Sequence, residues 1–313
     1  MLDLQDMSAL ERRLSQRAPS MRLTRHASMA DYTTLRLGGP ADLMAEPADE
    51  AQLRVALESA ADMGVPVTLM GRGSNLLVLD GGIRGLVIRL CGVMNSVEVD
   101  GCILRTGAGA LLSSAALAAA EKGLAGLAFA GGIPGTVGGG IYMNAGAYGG
   151  ELGQVTERVE GLTMAGEPFA YTAEEMAFSH RRTRLMEENV VVTRVTFRLA
   201  EGDREAILAE MADLKRRRAE KQPLQQPSAG STFKRPANGY ASALIDQCGL
   251  KGLRVGGAQV SEKHAGFLVN LGGTAADFLQ LMAQVQRAVY DRTGIWLEPE
   301  VRIVGEDAPA LGV

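Results

Sequence analysis

Cysteine and histidine are scarce in this chain, with three of each among its 313 residues. None of the cysteines, Cys91, Cys102 and Cys248, belongs to a Cys-x-x-Cys pair or has a histidine close to it in the sequence. Structural zinc sites need clustered cysteines and histidines, and secreted domains pair their cysteines as disulfides. The pattern therefore argues against a metal site and indicates a reducing compartment, so we expect a cytoplasmic protein.

The chain also lacks an excess of positive charge and a long apolar segment. Its formal net charge is −4 and its isoelectric point is about 5.6, so it has no general attraction for nucleic acid or anionic lipid. The most apolar run, residues 111–120, ends at Glu121 and Lys122, and no apolar signal region follows the first residue. We expect no nucleic-acid or membrane partner, and small-molecule chemistry is favoured.

Neither of the standard nucleotide fingerprints is complete. Residues 67–70 predict a strand, and Gly-Arg-Gly-Ser-Asn at residues 71–75 follows it directly, which is where phosphate-binding loops occur. No further glycine completes Gly-x-Gly-x-x-Gly, and no Gly-Lys-Ser/Thr is present there. The Rossmann and P-loop interpretations are therefore weak.

Glycine, in contrast, is abundant, with 39 residues in the chain, and ten of them lie in residues 126–150, GLAFAGGIPGTVGGGIYMNAGAYGG. Each glycine costs backbone entropy, so tight turns or a closely approaching ligand must require it. Apolar residues between the glycines anchor the segment in a core, and a rigid run of N–H groups can bind a pyrophosphate. We interpret the segment as a nucleotide-cofactor loop. Composition alone leaves a cluster of turns in an α+β domain equally open.

The length allows two domains or three small ones, and the polar stretch at residues 222–230 predicts a boundary. Hydrophobic periodicity and capping residues predict helices at residues 3–16, 50–63, 113–122, 203–221, 241–248 and 274–292. A strand that runs into a Gly-Gly-Pro turn is predicted at residues 32–40. Further strands are predicted at residues 67–70, 86–90, 159–164, 190–199, 254–260, 265–271 and 296–304, with a hairpin turn at Asp100 and Gly101. The last strand would place Glu298 and Glu300 on one face.

Four segments in order resemble the UDP-N-acetylenolpyruvoylglucosamine reductase family, flavoenzymes of bacterial peptidoglycan synthesis. They are GRGSN (residues 71–75), GGIPGTVGGGIYMNAGAYG (131–149), PSAGSTFKRP (227–236) and WLEPEVRIVG (296–305). The resemblance runs from about Thr33 to Gly305. Four motifs in the same order are far more specific than any one alone.

The resemblance implies an α+β fold, with a vanillyl-alcohol-oxidase-type FAD-binding domain and a C-terminal α+β substrate-binding domain. We expect a helical extension at residues 1–30, the FAD-binding domain at 31–221 with lobes at about 31–95 and 96–221, the substrate-binding domain at 222–305, and a tail at 306–313. The family uses non-covalent FAD, takes hydride from NADPH and reduces UDP-N-acetylglucosamine enolpyruvate to UDP-N-acetylmuramate.

The family's catalytic residues are an arginine, a glutamate and a serine that acts as proton donor, and they map to Arg181, Glu300 and Ser231. Such groups suit a reaction that builds negative charge on the substrate carboxylate and then needs a proton. The predicted FAD contacts are the backbones of Gly71, Arg72, Gly73, Ser74, Asn75, Gly131, Gly132, Ile133, Pro134, Gly135, Thr136 and Val137. The predicted substrate contacts are Lys221, which matches a phosphate-binding lysine of the family, and Arg235.

Several neighbours compete for these roles. Ser228 and Thr232 flank Ser231, whereas Glu298 lies two residues before Glu300. The arginine motif departs from the family's usual Tyr-Arg-x-Ser, because His-Arg-Arg-Thr stands at residues 180–183, so that Arg182 and Arg184 are alternatives to Arg181. Arg235 occupies a position that is commonly asparagine. The chain leaves no room after Arg184 for the tyrosine-bearing lid, which is typical of the shorter subtype.

Two other functions remain possible from the sequence. An oxidase of the same FAD-binding architecture would take hydride from an alcohol. Such enzymes often tether their flavin through histidine or cysteine, but His26, His180 and His264 all lie outside the glycine segments. A nucleotide-binding module without chemistry would leave the motifs around Ser231 and Glu300 unexplained.

Overall fold

The computed structural model describes residues 4–237 and 239–307. Its helices are Leu4–Arg17, Glu50–Asp62, Leu112–Glu121, Val137–Tyr142, Arg204–Lys221, Ala241–Gln247 and Ala275–Thr293. Its longer strands are Arg22–Ser28, Pro40–Glu46, Val67–Met70, Leu76–Val78, Ile83–Arg89, Val97–Asp100, Ile103–Gly107, Thr156–Thr163, Pro168–Thr172, Val190–Arg198, Ser228–Ser231, Ala258–Val260, Phe267–Asn270 and Arg302–Val304. Residues 1–3 of the expected extension and 308–313 of the expected tail lie outside the described residues.

The chain divides into two compact units that are assembled from interleaved segments. The first contains the described residues of Met1–Arg25, Leu43–Arg72 and Gly85–Arg217, and the second contains those of His26–Asp42, Gly73–Arg84 and Arg218–Val313. Each compact unit combines segments that are distant in the sequence, so neither unit corresponds to one continuous range. The predicted domains describe functions and not compact units, and they stay predictions.

The first unit is built on a five-stranded antiparallel sheet. Its strand order is Pro168–Thr172, Thr156–Thr163, Val190–Arg198, Ile103–Gly107 and Val97–Asp100. Helix Leu112–Glu121 buries one face of leucine and alanine, because small side chains recurring at helical spacing let a helix pack closely. The unit also holds the larger part of a four-stranded sheet in which Val67–Met70 pairs in parallel with Ile83–Arg89.

The second unit contains a four-stranded antiparallel sheet in the order Ser228–Ser231, Phe267–Asn270, Ala258–Val260 and Arg254–Val255. Helix Ala275–Thr293 begins at Thr274, whose side chain forms a capping box with Asp277. Its apolar face, including Phe278, Leu281 and Val285, is buried in the core of this unit. A separate parallel pair joins Leu76–Val78 to Arg302–Val304.

Three predicted strands differ from the structure. Residues 32–39 are irregular and the strand begins at Pro40, because Arg36 and Gly38 have φ values of +55° and +120° that a strand cannot accommodate. The strand expected at residues 254–260 is a hairpin that turns at Gly256, where φ is +51°. In the strand expected at residues 296–304, only Arg302–Val304 is regular.

The last difference has a clear cause. The N–H groups of Glu300 and Val301 both donate to the carbonyl of Thr232, over 2.8 and 3.3 Å, and the preceding Pro299 has no N–H to donate. Pro299 forms a single antiparallel bridge with Phe233, and the pairing ends after Glu300 instead of continuing as a ladder. Glu298 and Glu300 flank this bridge, so the expectation that they share a strand face stays a prediction.

Candidate functional site

The loop at residues 71–75 presents a row of backbone donors. It follows strand Val67–Met70, and Gly73 has a φ of +66°, which favours glycine. None of the five N–H groups from Gly71 to Asn75 donates a hydrogen bond to the described part of the chain. Successive unpartnered N–H groups in a turn form a concavity that binds anions. These residues therefore fit the pyrophosphate of a dinucleotide such as FAD.

The glycine-rich segment reaches this loop through Thr136. A Cβ on Gly71 would overlap the hydroxyl oxygen of Thr136, so only glycine allows the two segments to approach this closely. The same oxygen accepts the N–H of Gly139 over 3.3 Å and thereby caps helix Val137–Tyr142. The segment is thus rigid, as the apolar residues between its glycines predict.

The fold itself uses part of the predicted FAD-binding backbone. The N–H of Val137 donates to the carbonyl of Ala110 over 2.8 Å, and that of Ile133 donates to Ala130 over 3.0 Å. Pro134 has no N–H. Gly135 and Thr136 keep N–H groups that donate to no described residue. Donors toward a ligand are therefore available at Gly135 and Thr136, whereas the N–H groups of Ile133 and Val137 are already engaged.

Arg181 lies in a tight loop of the first unit, with a φ of +56°. Its guanidinium donates to the carbonyl of Gly146 over 3.1 Å and to that of Asn144 over 3.5 Å. The side chain therefore lies against the glycine-rich segment. These two carbonyl oxygens orient the guanidinium.

The two neighbouring arginines are occupied by carboxylates. Exposed Arg182 forms an ion pair with Glu187. Arg184 donates to Glu188 over 2.5 Å and stacks over the ring of Tyr171, with 4.2 Å from its guanidinium carbon to the ring centroid. Through these bonds Arg181 contacts the glycine-rich segment, whereas Arg182 and Arg184 pair with glutamates; which of the three faces the substrate stays a prediction.

Ser231 is at the end of strand Ser228–Ser231, just after Gly230, whose φ is +76°. The register with Phe267–Asn270 shifts between Ser228 and Ser231, so a bulge lies directly before the serine, which itself pairs with Phe267. Ser231 is exposed, and its hydroxyl makes no hydrogen bond to the described residues. Bulges of this kind re-aim a side chain beside an active site.

The rivals of Ser231 have structural partners. Thr232 is 5% exposed, and its hydroxyl accepts the N–H of Leu268 over 3.3 Å. Ser228 is held by two bonds to Thr34, whose hydroxyl donates to the carbonyl of Ser228 over 2.7 Å and whose own carbonyl accepts the N–H of Ser228 over 3.2 Å. The bonds of Ser228 use its backbone and not its hydroxyl, so Ser228 differs from Ser231 in being half-buried, and Ser231 is the exposed one of the three residues.

Glu300 is close to Ser231 within the second unit. Its N–H donates to the carbonyl of Thr232, the residue after Ser231, and its carbonyl accepts the side-chain amide of Asn75 over 3.1 Å. Glu298, in contrast, is exposed and pairs with Lys234 over 3.1 Å. The second unit thus brings Ser231, Glu300 and the residue 73–75 part of the loop together, whereas Arg181 belongs to the first unit.

The two predicted substrate contacts are both exposed. Lys221 is the last residue of helix Arg204–Lys221. Arg235 donates to the carbonyl of Gly239 over 3.2 Å and lies over the ring of Tyr240, 4.1 Å from its centroid. The contacts of Arg235 described here involve a carbonyl oxygen and an aromatic ring, and no carboxylate. Both side chains can therefore reach an anionic ligand.

Sequence reasoning assigned no role to Asn144, which the structure connects to the Arg181 loop. Its side chain is buried and bonds residues on both sides of it. An asparagine inside a glycine-rich run is itself a signal, because asparagine tolerates positive φ, and here φ is +41°.

The described residues were also searched for metal-binding groups and for helices that could cross a membrane. They contain no group of three or more histidine, cysteine, aspartate or glutamate side chains arranged to hold a metal ion. In the same part of the chain, no helix combines the length and apolar character needed to cross a membrane.

Comparisons with known proteins identify the family of this chain. Two family models match, the FAD binding domain over residues 41–167 and the UDP-N-acetylenolpyruvoylglucosamine reductase, C-terminal domain, over residues 222–304. The chain is 46% identical over 306 residues to the UDP-N-acetylenolpyruvoylglucosamine reductase of Agathobacter rectalis, covering 94% of this chain and 97% of the relative. It is 45% identical over 290 residues to that of Levilactobacillus brevis, covering 92% and 95%.

Among solved structures, the UDP-N-acetylenolpyruvylglucosamine reductase from Thermus caldophilus superimposes with a TM-score of 0.79 at 40% identity, covering 90% of this chain and 99% of that one. The predicted fold class, an FAD-binding domain with a C-terminal α+β domain, is confirmed by these matches. The chain belongs to the UDP-N-acetylenolpyruvoylglucosamine reductase family and is an FAD-dependent oxidoreductase.

Proposed function

We propose that this protein reduces UDP-N-acetylglucosamine enolpyruvate to UDP-N-acetylmuramate with NADPH as hydride donor, and that Ser231, Glu300 and Arg181 carry the chemistry. Family membership supports the substrate and the reaction. The observation that carries the site assignment is the bond from Asn75 to the carbonyl of Glu300, because it joins the loop of unpartnered N–H groups to the expected catalytic glutamate.

The backbone of residues 71–75 would hold the FAD pyrophosphate, with Gly135 and Thr136 as further donors. Bound there without a covalent link, FAD would supply the hydride-transfer chemistry between NADPH and the enol-ether double bond. The protein's task is then to bind the substrate, to stabilise the charge that develops on its carboxylate, and to deliver one proton.

Ser231 is the proposed proton donor. Its exposed position after the Gly230 bulge supports this role, as does a hydroxyl that no described residue engages. An alcohol is a weak acid, so a neighbouring group must assist the transfer. Glu300, whose N–H bonds the residue next to Ser231, lies in the right part of the second unit to provide hydrogen bonding to the reacting substrate.

Arg181 is the proposed partner of the substrate carboxylate. Its guanidinium is oriented by two carbonyl oxygens and carries a charge that can stabilise the anionic intermediate. Lys221 and Arg235, which are exposed, would contact the anionic nucleotide part of the substrate. We further propose the shorter subtype without a tyrosine lid, the domain ranges predicted above, and a cytoplasmic location.

The test is an anaerobic titration of the purified holoenzyme. NADPH should bleach a yellow, FAD-containing protein, and the enolpyruvyl substrate should restore its colour, whereas UDP-N-acetylglucosamine without the enolpyruvyl group should not. Acid denaturation followed by centrifugation should leave the flavin in the supernatant. Bleaching by an alcohol with reoxidation only by oxygen would favour an oxidase, and no redox response at all would favour a nucleotide-binding module.

A further inference from the structure

Asn144 connects two segments that carry the site in the first unit. Its Nδ2 donates to the carbonyl of Ser179 over 2.9 Å, and its Oδ1 accepts the N–H of Gly153 over 2.9 Å. The residue is 0% exposed. A buried amide that is satisfied at both ends has one orientation, since rotating it would leave a donor and an acceptor unpaired.

The loop that Asn144 holds is strained. Ala177 and Arg181 have φ values of +48° and +56°, in the left-handed region that non-glycine residues rarely adopt. Strain of this kind costs free energy and persists only when surrounding bonds fix the backbone. Besides Asn144, Thr183 fixes the loop, because its hydroxyl donates to the carbonyl of Tyr142 over 2.9 Å.

We propose that Asn144 is a positioning residue for Arg181. By fixing the carbonyl of Ser179, two residues before Arg181, it sets the direction in which the guanidinium leaves the loop, and its own main-chain carbonyl receives that guanidinium at 3.5 Å. Asn144 itself need not touch the substrate. This inference rests on the proposed role of Arg181 toward the substrate carboxylate and adds the residue that orients it.

A purely structural asparagine would lower stability without selecting one step of the reaction. A positioning residue would instead slow the step that uses Arg181, which is reoxidation of the reduced enzyme by the enolpyruvyl substrate. Reduction by NADPH involves no substrate carboxylate and should change little. The two half-reactions therefore distinguish the roles.

The experiment compares Asn144→Gly, Arg181→Ala and the double variant by anaerobic stopped flow with UDP-N-acetylglucosamine enolpyruvate. Glycine removes both side-chain bonds and keeps the positive φ without strain. The control is Thr156→Val, which deletes a buried hydrogen bond to the carbonyl of Leu152 in the same unit. A second variant, Asn144→Asp, keeps an acceptor for Gly153 and loses the donor to Ser179.

Asn144→Gly should slow reoxidation by about 10²-fold, the effect expected when a catalytic group is misplaced by about 1 Å. In the double variant, Asn144→Gly should slow reoxidation little beyond the effect of Arg181→Ala alone. Asn144→Asp should act in the same direction, and Thr156→Val should leave both half-reactions near wild type. Equal slowing by Asn144→Gly in both backgrounds, or no slowing, would overturn the positioning role alone. A wild-type rate for Arg181→Ala would overturn the role of Arg181 and the inference with it.

Discussion

The side-chain amide of Asn75 donates to the main-chain carbonyl of Glu300 over 3.1 Å, and the carbonyl of Asn75 accepts the N–H of Arg302 over 3.0 Å. The two bonds fix the backbone of residues 300–302 to Asn75, at the end of the loop of unpartnered donors. Strands Leu76–Val78 and Arg302–Val304 continue this pairing in parallel. A ligand bound by the loop would therefore lie at a fixed position relative to the backbone of Glu300.

Glu300→Gln should slow reduction of the enolpyruvyl substrate far more than Glu298→Gln does. Glu300 is tied to the loop and to Thr232, whereas Glu298 is exposed and pairs with Lys234 at the surface. Exposed pairs contribute at most ~1 kcal/mol to stability, so Glu298→Gln is a control for loss of one carboxylate. The measurement is the rate at which the enolpyruvyl substrate reoxidises the reduced enzyme, compared in each variant with the rate of reduction by NADPH. Equal rates for the two variants would reject the choice of Glu300.

Gly71→Ala should lose most of the bound FAD. The added methyl group would overlap the Thr136 hydroxyl, which caps helix Val137–Tyr142, so the loop and the glycine-rich segment would move apart. The matched control is Gly139→Ala, whose Cβ would lie at an ordinary 3.4 Å from the same oxygen. The ratio of flavin to protein absorbance in each purified variant is the measurement. Full occupancy in Gly71→Ala would show that the close approach is not needed for binding.

Sequence patterns predicted the elements that local chemistry determines. The Thr274 and Asp277 capping box and the apolar repeat after it predicted residues 274–292, and the helix is Ala275–Thr293. The expected strand at residues 296–304 failed because the carbonyl of Thr232, about seventy residues earlier in the chain, receives two consecutive N–H groups. Such long-range bonds leave no periodic signal in the segment itself.

In the site, too, local sequence predicted some features, whereas others depend on long-range bonds. The glycines of residues 71–75 predicted a loop with available donors, because positive φ and close approach both require glycine there. The different surroundings of Arg181, Arg182 and Arg184 needed the structure, since the positive φ of Arg181 and its bonds to distant carbonyls cannot be predicted from a run of basic residues. The catalytic roles of these residues stay predictions.

Stability should fall more steeply below neutral pH in wild type than in His264→Asn. Burial lowers the pKa of His264, and Lys251 acts in the same direction. The unfolded state therefore binds a proton more readily than the folded state, so stability is lost as the pH falls through about 6.5 toward the folded pKa. The neutral ring also accepts the N–H of Gly266 over 3.2 Å, an acceptor that protonation removes and asparagine can replace.

The measurement for His264 is the midpoint of urea unfolding at a series of pH values from about 5 to 8. The wild-type and His264→Asn curves should run parallel at the alkaline end and diverge on acidification. Carboxylates titrate in both proteins, so only the difference between the curves reports the imidazole. Curves that stay parallel throughout would show that His264 does not couple folding to protons.

Ser231→Ala should separate the two halves of the reaction. Reduction of the enzyme by NADPH requires no proton on the substrate carbon, whereas product formation does. The variant should therefore be bleached by NADPH at nearly the wild-type rate and be reoxidised by the enolpyruvyl substrate ~10²–10⁴-fold more slowly, as expected for a lost general acid. The hydroxyl of Ser231 bonds no described residue, so its removal should cost little stability.

Two neighbouring hydroxyl groups supply the controls. Thr232→Val removes the acceptor for Leu268 and should lower stability while leaving the ratio of the half-reaction rates unchanged. Ser228→Ala keeps the backbone bonds to Thr34 and should change neither rate. Stopped flow with each substrate decides the assignment. If Ser231→Ala reoxidises within a few-fold of wild type while Thr232→Val or Ser228→Ala does not, the proton comes from that other hydroxyl and the bulge at Gly230 serves only the sheet.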